Sequence, residues 1–269
     1  MIETHMGTVY TDGSAENHVA ICREAAQMLE DNTACEILNE DTDNATYYEA
    51  ILSAPGDTYV RIYYYYVNQS QATLILAHGQ RVDGSYVWHE YNSTTLSALD
   101  TTQRYARLSV VNHGAAWSLA IRVRISVSGS YYARVARLDT VILRSGLTGN
   151  EVLCSGGDRP GGNQSLDPSP FPNPYGSGVF RALYNGEQYS VPHMGLANAK
   201  NNIVAGKILL FPSLIYFSAT ENNLGVPTIG EGKTYYMGIP DGVSLPAYTE
   251  FSVNGGRYVS LGNVAIPST

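Results

Sequence analysis

Residues 117–127 read Trp117-Ser118-Leu119-Ala120-Ile121-Arg122-Val123-Arg124-Ile125-Ser126-Val127. The apolar members of this run alternate strictly with Ser118, Ala120, Arg122, Arg124 and Ser126, which is the period of a half-buried β-strand. A helix would scatter the arginines around its circumference. Ser128-Gly129-Ser130 then supplies turn chemistry, and Tyr131, Ala133 and Val135 alternate with Tyr132, Arg134 and Ala136 on the way back. The two runs predict a β-hairpin. A three-residue loop pairs Ile125 with Ala133 and Val123 with Val135 and keeps the apolar groups together, whereas a two-residue loop would set Arg134 against Ile125. With the three-residue loop, Arg124 lies opposite Arg134. Such a like-charge pair costs stability unless an acidic surface covers it.

The rest of the chain supplies that acid. Twelve Asp and Glu residues lie between Glu3 and Asp57, with Arg23 the only basic residue among them. Arg104, Arg107, Arg122, Arg124, Arg134, Arg137 and Arg144 cluster around the hairpin instead. Guanidinium suits bidentate, partly buried carboxylate pairing, so the arginine face of the hairpin is expected to meet the acidic segment of its own chain or of a neighbour.

With 269 residues and 44% hydrophobic content the chain is large enough to bury a substantial core. Charged residues make up only 15%, against roughly a quarter in an average domain, while there are 21 tyrosines and 26 glycines. A surface built from neutral polar groups and tyrosine suits contact with neighbouring subunits, since Tyr adds contact area at small entropic cost. The net charge of −8 argues against nucleic acid as a partner, because phosphate binding needs a basic footprint. Cys22, Cys35 and Cys154 form no CxxC pair and suggest neither a disulfide framework nor a zinc site. No leader pattern or membrane-length apolar run is evident, so a soluble protein made in a reducing compartment is expected.

Taken in order, the chain predicts a helix over residues 15–30, capped by Ser14, with a narrow apolar stripe of Val19, Cys22, Ala26 and Leu29. That stripe would pack on the edge or face of a sheet. Asp41 to Asn44 reads as a polar turn. Strands follow at Tyr47–Leu52, Thr58–Val67, Thr73–His78, Tyr86–Tyr91 and Tyr105–Asn112, separated by turn residues such as Pro55-Gly56 and Asp83-Gly84. Tyr63 to Tyr66 set phenol rings on both faces of one strand, and one pair must meet solvent or a partner.

From Ser145 to Gly178 glycines and prolines exclude regular structure, and Phe171 and Tyr175 interleave with prolines as in an arm laid on a neighbour. A second β region opens with a hairpin around Asn185-Gly186, contains a strand interrupted by Pro212, and closes through Asn254-Gly255-Gly256. The expected architecture is therefore all-β, with a sandwich or jelly-roll-like region. Its divisions are a helix-plus-sandwich domain over 1–144, a connector over 145–178 and a smaller β domain over 179–269. The expected contact residues are Arg122, Arg124, Arg134, Arg137, Tyr64, Tyr66, Phe171 and Tyr175.

Catalytic constellations are not evident. Gly232-Lys233-Thr234 resembles the end of a phosphate loop, but Pro227 stands where its first glycine belongs and a strand follows instead of a helix. Asp41 and Asp43 open like a calcium loop that Ala45, Thr46 and Leu52 fail to complete. The six histidines show no metal-binding spacing. A paired-carboxylate site is a matter of tertiary structure, with Asp57, Asp83, Asp100 and Asp139 all in turn-like positions. No enzyme activity, cofactor or metal is expected.

The run from Tyr48 to Tyr63, then Trp117 to Ile125, Gly230 to Tyr236 and Gly255 to Val264 resembles the layout of virion structural proteins of tailed bacteriophages. The resemblance implies a non-enzymatic subunit made in the bacterial cytoplasm and residing in the virion. There it would join copies of itself and other virion proteins in a symmetric ring or shell at the neck, tail or baseplate, with neither nucleic acid nor membrane as partner. The long Gly/Pro-rich connector is a departure from that pattern. The alternative is a carbohydrate- or receptor-binding tail or fibre module, in which exposed Tyr and Trp stack on sugar rings. Trp88 and Trp117 discriminate: Trp117 belongs to the buried face of its strand, and one exposed Trp with acids around it would favour that alternative.

Overall fold

A computed structural model describes residues 3–10, 15–43, 46–67, 72–95, 105–113, 116–124, 130–143, 153–157, 179–184, 186–190, 208–216, 228–238, 245, 249–260 and 264–268. In chain order the elements are β1 (Glu3–Tyr10), α1 (Ala15–Asn32), β2 (Glu36–Asp43), β3 (Tyr47–Ala54), β4 (Thr58–Tyr66), β5 (Ala72–Val82), β6 (Ser85–Thr95), β7 (Tyr105–His113), β8 (Ala116–Arg124), β9 (Ser130–Leu143), β10 (Leu153–Gly157), β11 (Val179–Tyr184), β12 (Glu187–Ser190), β13 (Leu209–Tyr216), β14 (Thr228–Gly238), β15 (Glu250–Val253), β16 (Gly256–Ser260) and β17 (Val264–Pro267). The protein is all-β with one helix. Every strand pairing among the described residues that bears on the sites below is antiparallel.

The smaller sheet is a five-stranded meander in the order β2-β3-β4-β5-β6. Its turns follow from local chemistry. Asp83 and Gly84 both adopt positive φ, 49° and 84°, in the two-residue link between Val82 and Ser85, as a type I′ turn requires. In β3 and β4 burial alternates residue by residue, so Tyr48, Ala50, Leu52, Val60, Ile62 and Tyr64 face inward.

The larger sheet runs β1-β7-β8-β9-β14-β17-β16-β15, with β10 and β11 attached beside β9. Strand β9 is 14 residues long, and it pairs with β8, β10 and β14. Pairing therefore runs across both expected boundaries, at 144/145 and 178/179. Leu153–Gly157 forms a strand inside the stretch expected to lack regular structure; its backbone N–H and C=O groups are taken up by β9 and β11 on either side. Phe171 and Tyr175 lie outside the described residues.

Helix α1 lies between the two sheets, touching β2, β3 and β4 on one side and β1, β7 and β8 on the other. Its buried surface is wider than the stripe read from the sequence, because Ile21, Ala25 and Met28 are covered as well as Val19, Cys22, Ala26 and Leu29. The second sheet covers them. Full burial of Ile21 or Leu29 contributes roughly 1.5–3 kcal/mol each. Gly7 on β1 allows the close approach, since a Cβ there would meet Met28 Sδ at 2.7 Å. The helix runs two residues further than expected and ends without glycine: Asn32 Nδ2 donates to the Met28 carbonyl at 2.8 Å and Thr33 Oγ1 to the Leu29 carbonyl at 2.5 Å. Ser14 lies outside the described residues.

Of the polar turn expected at Asp41 to Asn44, Asp41–Asp43 instead end a charged edge strand, Glu36–Asp43, and Asn44 lies outside the described residues. The strand is anchored to the helix: Arg23 Nε donates to Glu40 Oε1 at 3.0 Å, and Glu30 Oε1 accepts the Ile37 N–H at 2.8 Å. Acidic side chains along such an edge oppose pairing with another chain's strand.

The central hairpin forms, with a register different from the expected one. Arg124 pairs with Ser130, Ile121 with Ala133 and Leu119 with Val135, while 125–129 lie outside the described residues. The apolar face survives because a four-residue change in the register sum preserves parity. Arg134 lies opposite Ala120, not Arg124, and Arg107 stands opposite Arg122 on β7 and β8.

Candidate functional site

Three of the four expected contact arginines share a face by register, since Arg122, Arg124 and Arg134 alternate with the buried Leu119, Ile121 and Val135. Arg137 does not join them. It pairs with Trp117 on the inward face and is only 2% exposed, so it belongs to the interior between the sheets. The hairpin reading stopped the alternation at Ala136, and continuing it one residue would have placed Arg137 inward.

The tyrosines require a similar correction. Tyr64 is fully buried beneath α1, where its hydroxyl lies 3.0 Å from His18 Nδ1 and the two rings meet edge-on. Tyr66 packs against the same core. The outward pair is Tyr63 and Tyr65. A signal for this was present in the sequence: Val60 and Ile62 are in phase with Tyr64, whereas Arg61 is in phase with Tyr63 and Tyr65.

Those outward residues are part of a larger constellation that the sequence reading missed. Strands β3, β4 and β6 present Tyr47, Tyr59, Tyr63, Tyr65, Tyr86 and Trp88 on the outer face of the smaller sheet, all partly exposed. Neighbouring rings touch in series. Tyr47 and Tyr63 meet edge-on at 5.5 Å between centroids, Tyr59 and Tyr86 at 4.8 Å, and Tyr86 and Trp88 stack at 5.3 Å with planes 22° apart. Arg61 bridges the two groups, its guanidinium 4.3 Å from the Tyr63 centroid and 5.8 Å from that of Trp88. Arg81 extends the series over Tyr86 at 5.6 Å.

One glycine makes the Trp88 position available. Gly79 is the cross-strand partner of both Tyr59 and Trp88, and a Cβ there would meet Trp88 Cε3 at 2.5 Å. The indole therefore lies down across the glycine, against the sheet.

The polar centre of the face is Glu49. Its Oε1 accepts from Arg61 Nε at 2.5 Å and its Oε2 accepts from the Tyr47 hydroxyl at 2.8 Å. The Glu49 and Arg61 side chains are 17% and 22% exposed, so this diagonal cross-strand pair is held more firmly than an open surface ion pair. Burial, followed by the bond and charge of Glu49, pushes the Tyr47 hydroxyl up to about 12.

Of the remaining candidates, Asp100 lies outside the described residues and Asp139 is a residue of β9. Asp57 and Asp83 occupy positive-φ turn positions, at 57° and 49°, and serve the backbone there. Among the described residues no three His, Cys, Asp or Glu side chains gather as a metal site. Among them, too, no helix is long and apolar enough to cross a membrane. No protein-family model and no curated protein matches the chain.

Proposed function

We propose that the protein is a non-enzymatic structural subunit of a tailed-phage particle, working through surface contact rather than chemistry. The observation that carries this reading is the outer face of the smaller sheet, where six aromatic side chains and two arginines form one continuous, partly exposed surface. Tyr, Trp and Arg are the residues that concentrate contact energy at interfaces. The low charge of the chain and its loose resemblance to virion proteins supply the setting: a symmetric ring or shell at the neck, tail or baseplate, built from copies of itself and other virion proteins.

Mass measurement of the purified chain, alone and with particle extract, tests this reading together with mass spectrometry of purified virions. A closed oligomer and a fixed copy number per particle are expected. A monomer under all conditions that is absent from virions would overturn it.

A second reading, the carbohydrate- or receptor-binding module, is favoured by one specific observation. Trp88 is partly exposed, flanked by tyrosines and close to the Glu49–Arg61 pair, whereas Trp117 is buried.

A further inference from the structure

We infer that the aromatic face centred on Trp88, Tyr86, Arg61 and Glu49 is a binding site for a neutral pyranose glycan. The inference rests on the binding-module reading and names its ligand class and residues.

The chemistry of the face narrows the choice. A pyranose ring carries C–H bonds on its faces and hydroxyls around its rim, so it pairs with a flat aromatic surface that has hydrogen-bonding groups beside it. Tyr86 and Trp88 supply the surface, with planes 22° apart. Trp88 is fixed against the strand by Gly79, so little ordering is left for binding to impose. Arg61 lies between Trp88 and Tyr63 with Nε engaged by Glu49, and its guanidinium carries further N–H groups suited to hydroxyl oxygens. Glu49 is held by both Arg61 and Tyr47, which fixes its orientation.

Other ligand classes fit less well. Stacked bases would also suit the rings, but a nucleic acid or acidic polysaccharide would approach beside Glu36, Glu40, Asp41 and Asp43 on the edge strand β2 of the same sheet. A docked protein would use the same Tyr, Trp and Arg groups but would also bury aliphatic side chains beside them. The large exposed ones lie elsewhere: Met6 on β1, Leu38 on β2, Val67 beyond β4 and Leu209 on β13. Ile75, on the aromatic face, is only 7% exposed. Ile51, on the same face, is partly exposed, so the face is mainly aromatic and polar.

The test uses the full chain on an array of neutral oligosaccharides, followed by titration with cellohexaose, chitohexaose and maltohexaose; polygalacturonate and a dT oligonucleotide serve as anionic probes. Saturable binding of at least one neutral glycan is expected at about 1 mM or tighter. It should change the indole emission and weaken by about tenfold or more in both Trp88→Ala and Tyr86→Ala. Arg61→Lys should weaken it too, while Tyr64→Phe, on the buried face, should leave it unchanged. Circular dichroism of each variant separates loss of binding from loss of fold. Absence of neutral-glycan binding overturns the proposal, as does binding unaffected by both aromatic variants or stronger binding of the anionic probes. If neutral glycans fail while the chain still binds host cells through Trp88, the receptor reading stands and the glycan class falls. If Trp88→Ala instead dissolves an oligomer and no glycan binds, the face is a subunit contact and the proposal is wrong.

Discussion

The backbone N–H of Gly186 donates to Gln80 Oε1 at 2.8 Å, although 106 residues separate the two, and the Gly186 carbonyl lies 2.9 Å from His89 Nε2. The tip of the β11–β12 hairpin is thereby set against β5 and β6 of the smaller sheet, with Gln80 fully buried. A Cβ at residue 186 would meet Val82 Cγ2 at 2.6 Å, and the residue has φ of +80°. Gly255 has nearly the same φ, +81°, with nothing within 4 Å of its would-be Cβ. Gly186→Ala is therefore expected to cost about 1–3 kcal/mol more than Gly255→Ala, the difference being the crowding against Val82. Urea midpoints of the two variants measure it. Equal losses would mean that backbone conformation alone sets the cost.

Tyr64 and Tyr65 are adjacent in sequence and opposite in environment. Removing the buried hydroxyl, which lies 3.0 Å from His18 Nδ1, should destabilise the protein by about 1 kcal/mol in Tyr64→Phe. Tyr65→Phe, on the outer face, should change stability by less than about 0.5 kcal/mol. Thermal melting compares them, and the reverse order would place the wrong face inward.

Tyr47 should give up its proton late. Its folded value near 12 exceeds the ordinary tyrosine value of about 10, so the fold favours the neutral phenol. The associated stability is fully present below about pH 10 and is lost as pH rises toward 12. In an ultraviolet tyrosinate titration, the step missing from Tyr47→Phe should fall near pH 12. A missing step at pH 10 would show that Glu49 and burial leave the phenol unaffected.

Cys22 and Cys35 are free and buried. Burial raises both thiols, Cys35 to about 11 against the smaller opposing influence of Thr33 and Arg137, and Cys22 further. At pH 8 neither carries appreciable thiolate, the form that reacts. A maleimide reagent should spare both in the native protein and label both in urea, as read by peptide mapping. Fast native labelling of Cys22 would mean that α1 is not enclosed between the sheets.

Much of the fold was legible because strand periodicity is written in neighbouring residues. The alternation at 117–127 marked β8 and its inward face, and Asp83-Gly84, Asn185-Gly186 and Asn254-Gly255 marked three turns, for which Gly84, Gly186 and Gly255 take the positive φ such turns require. The spacing of Val19, Cys22, Ala26 and Leu29 marked the helix.

Alternation fixes parity, however, and not register or neighbours. The hairpin's apolar face is the same in the expected register and in the observed one, so only the pairing of Arg124 with Ser130 decided which arginines meet. Gly156 lies in a strand because of what flanks it in the sheet, a non-local fact that a glycine residue does not announce. The aromatic face is the clearest case. Tyr47, Tyr63, Tyr86 and Trp88 come from three different strands, and each is an ordinary strand residue by itself. They become one surface because the meander sets those strands side by side, α1 takes the opposite face, and Gly79 leaves room for an indole to lie flat.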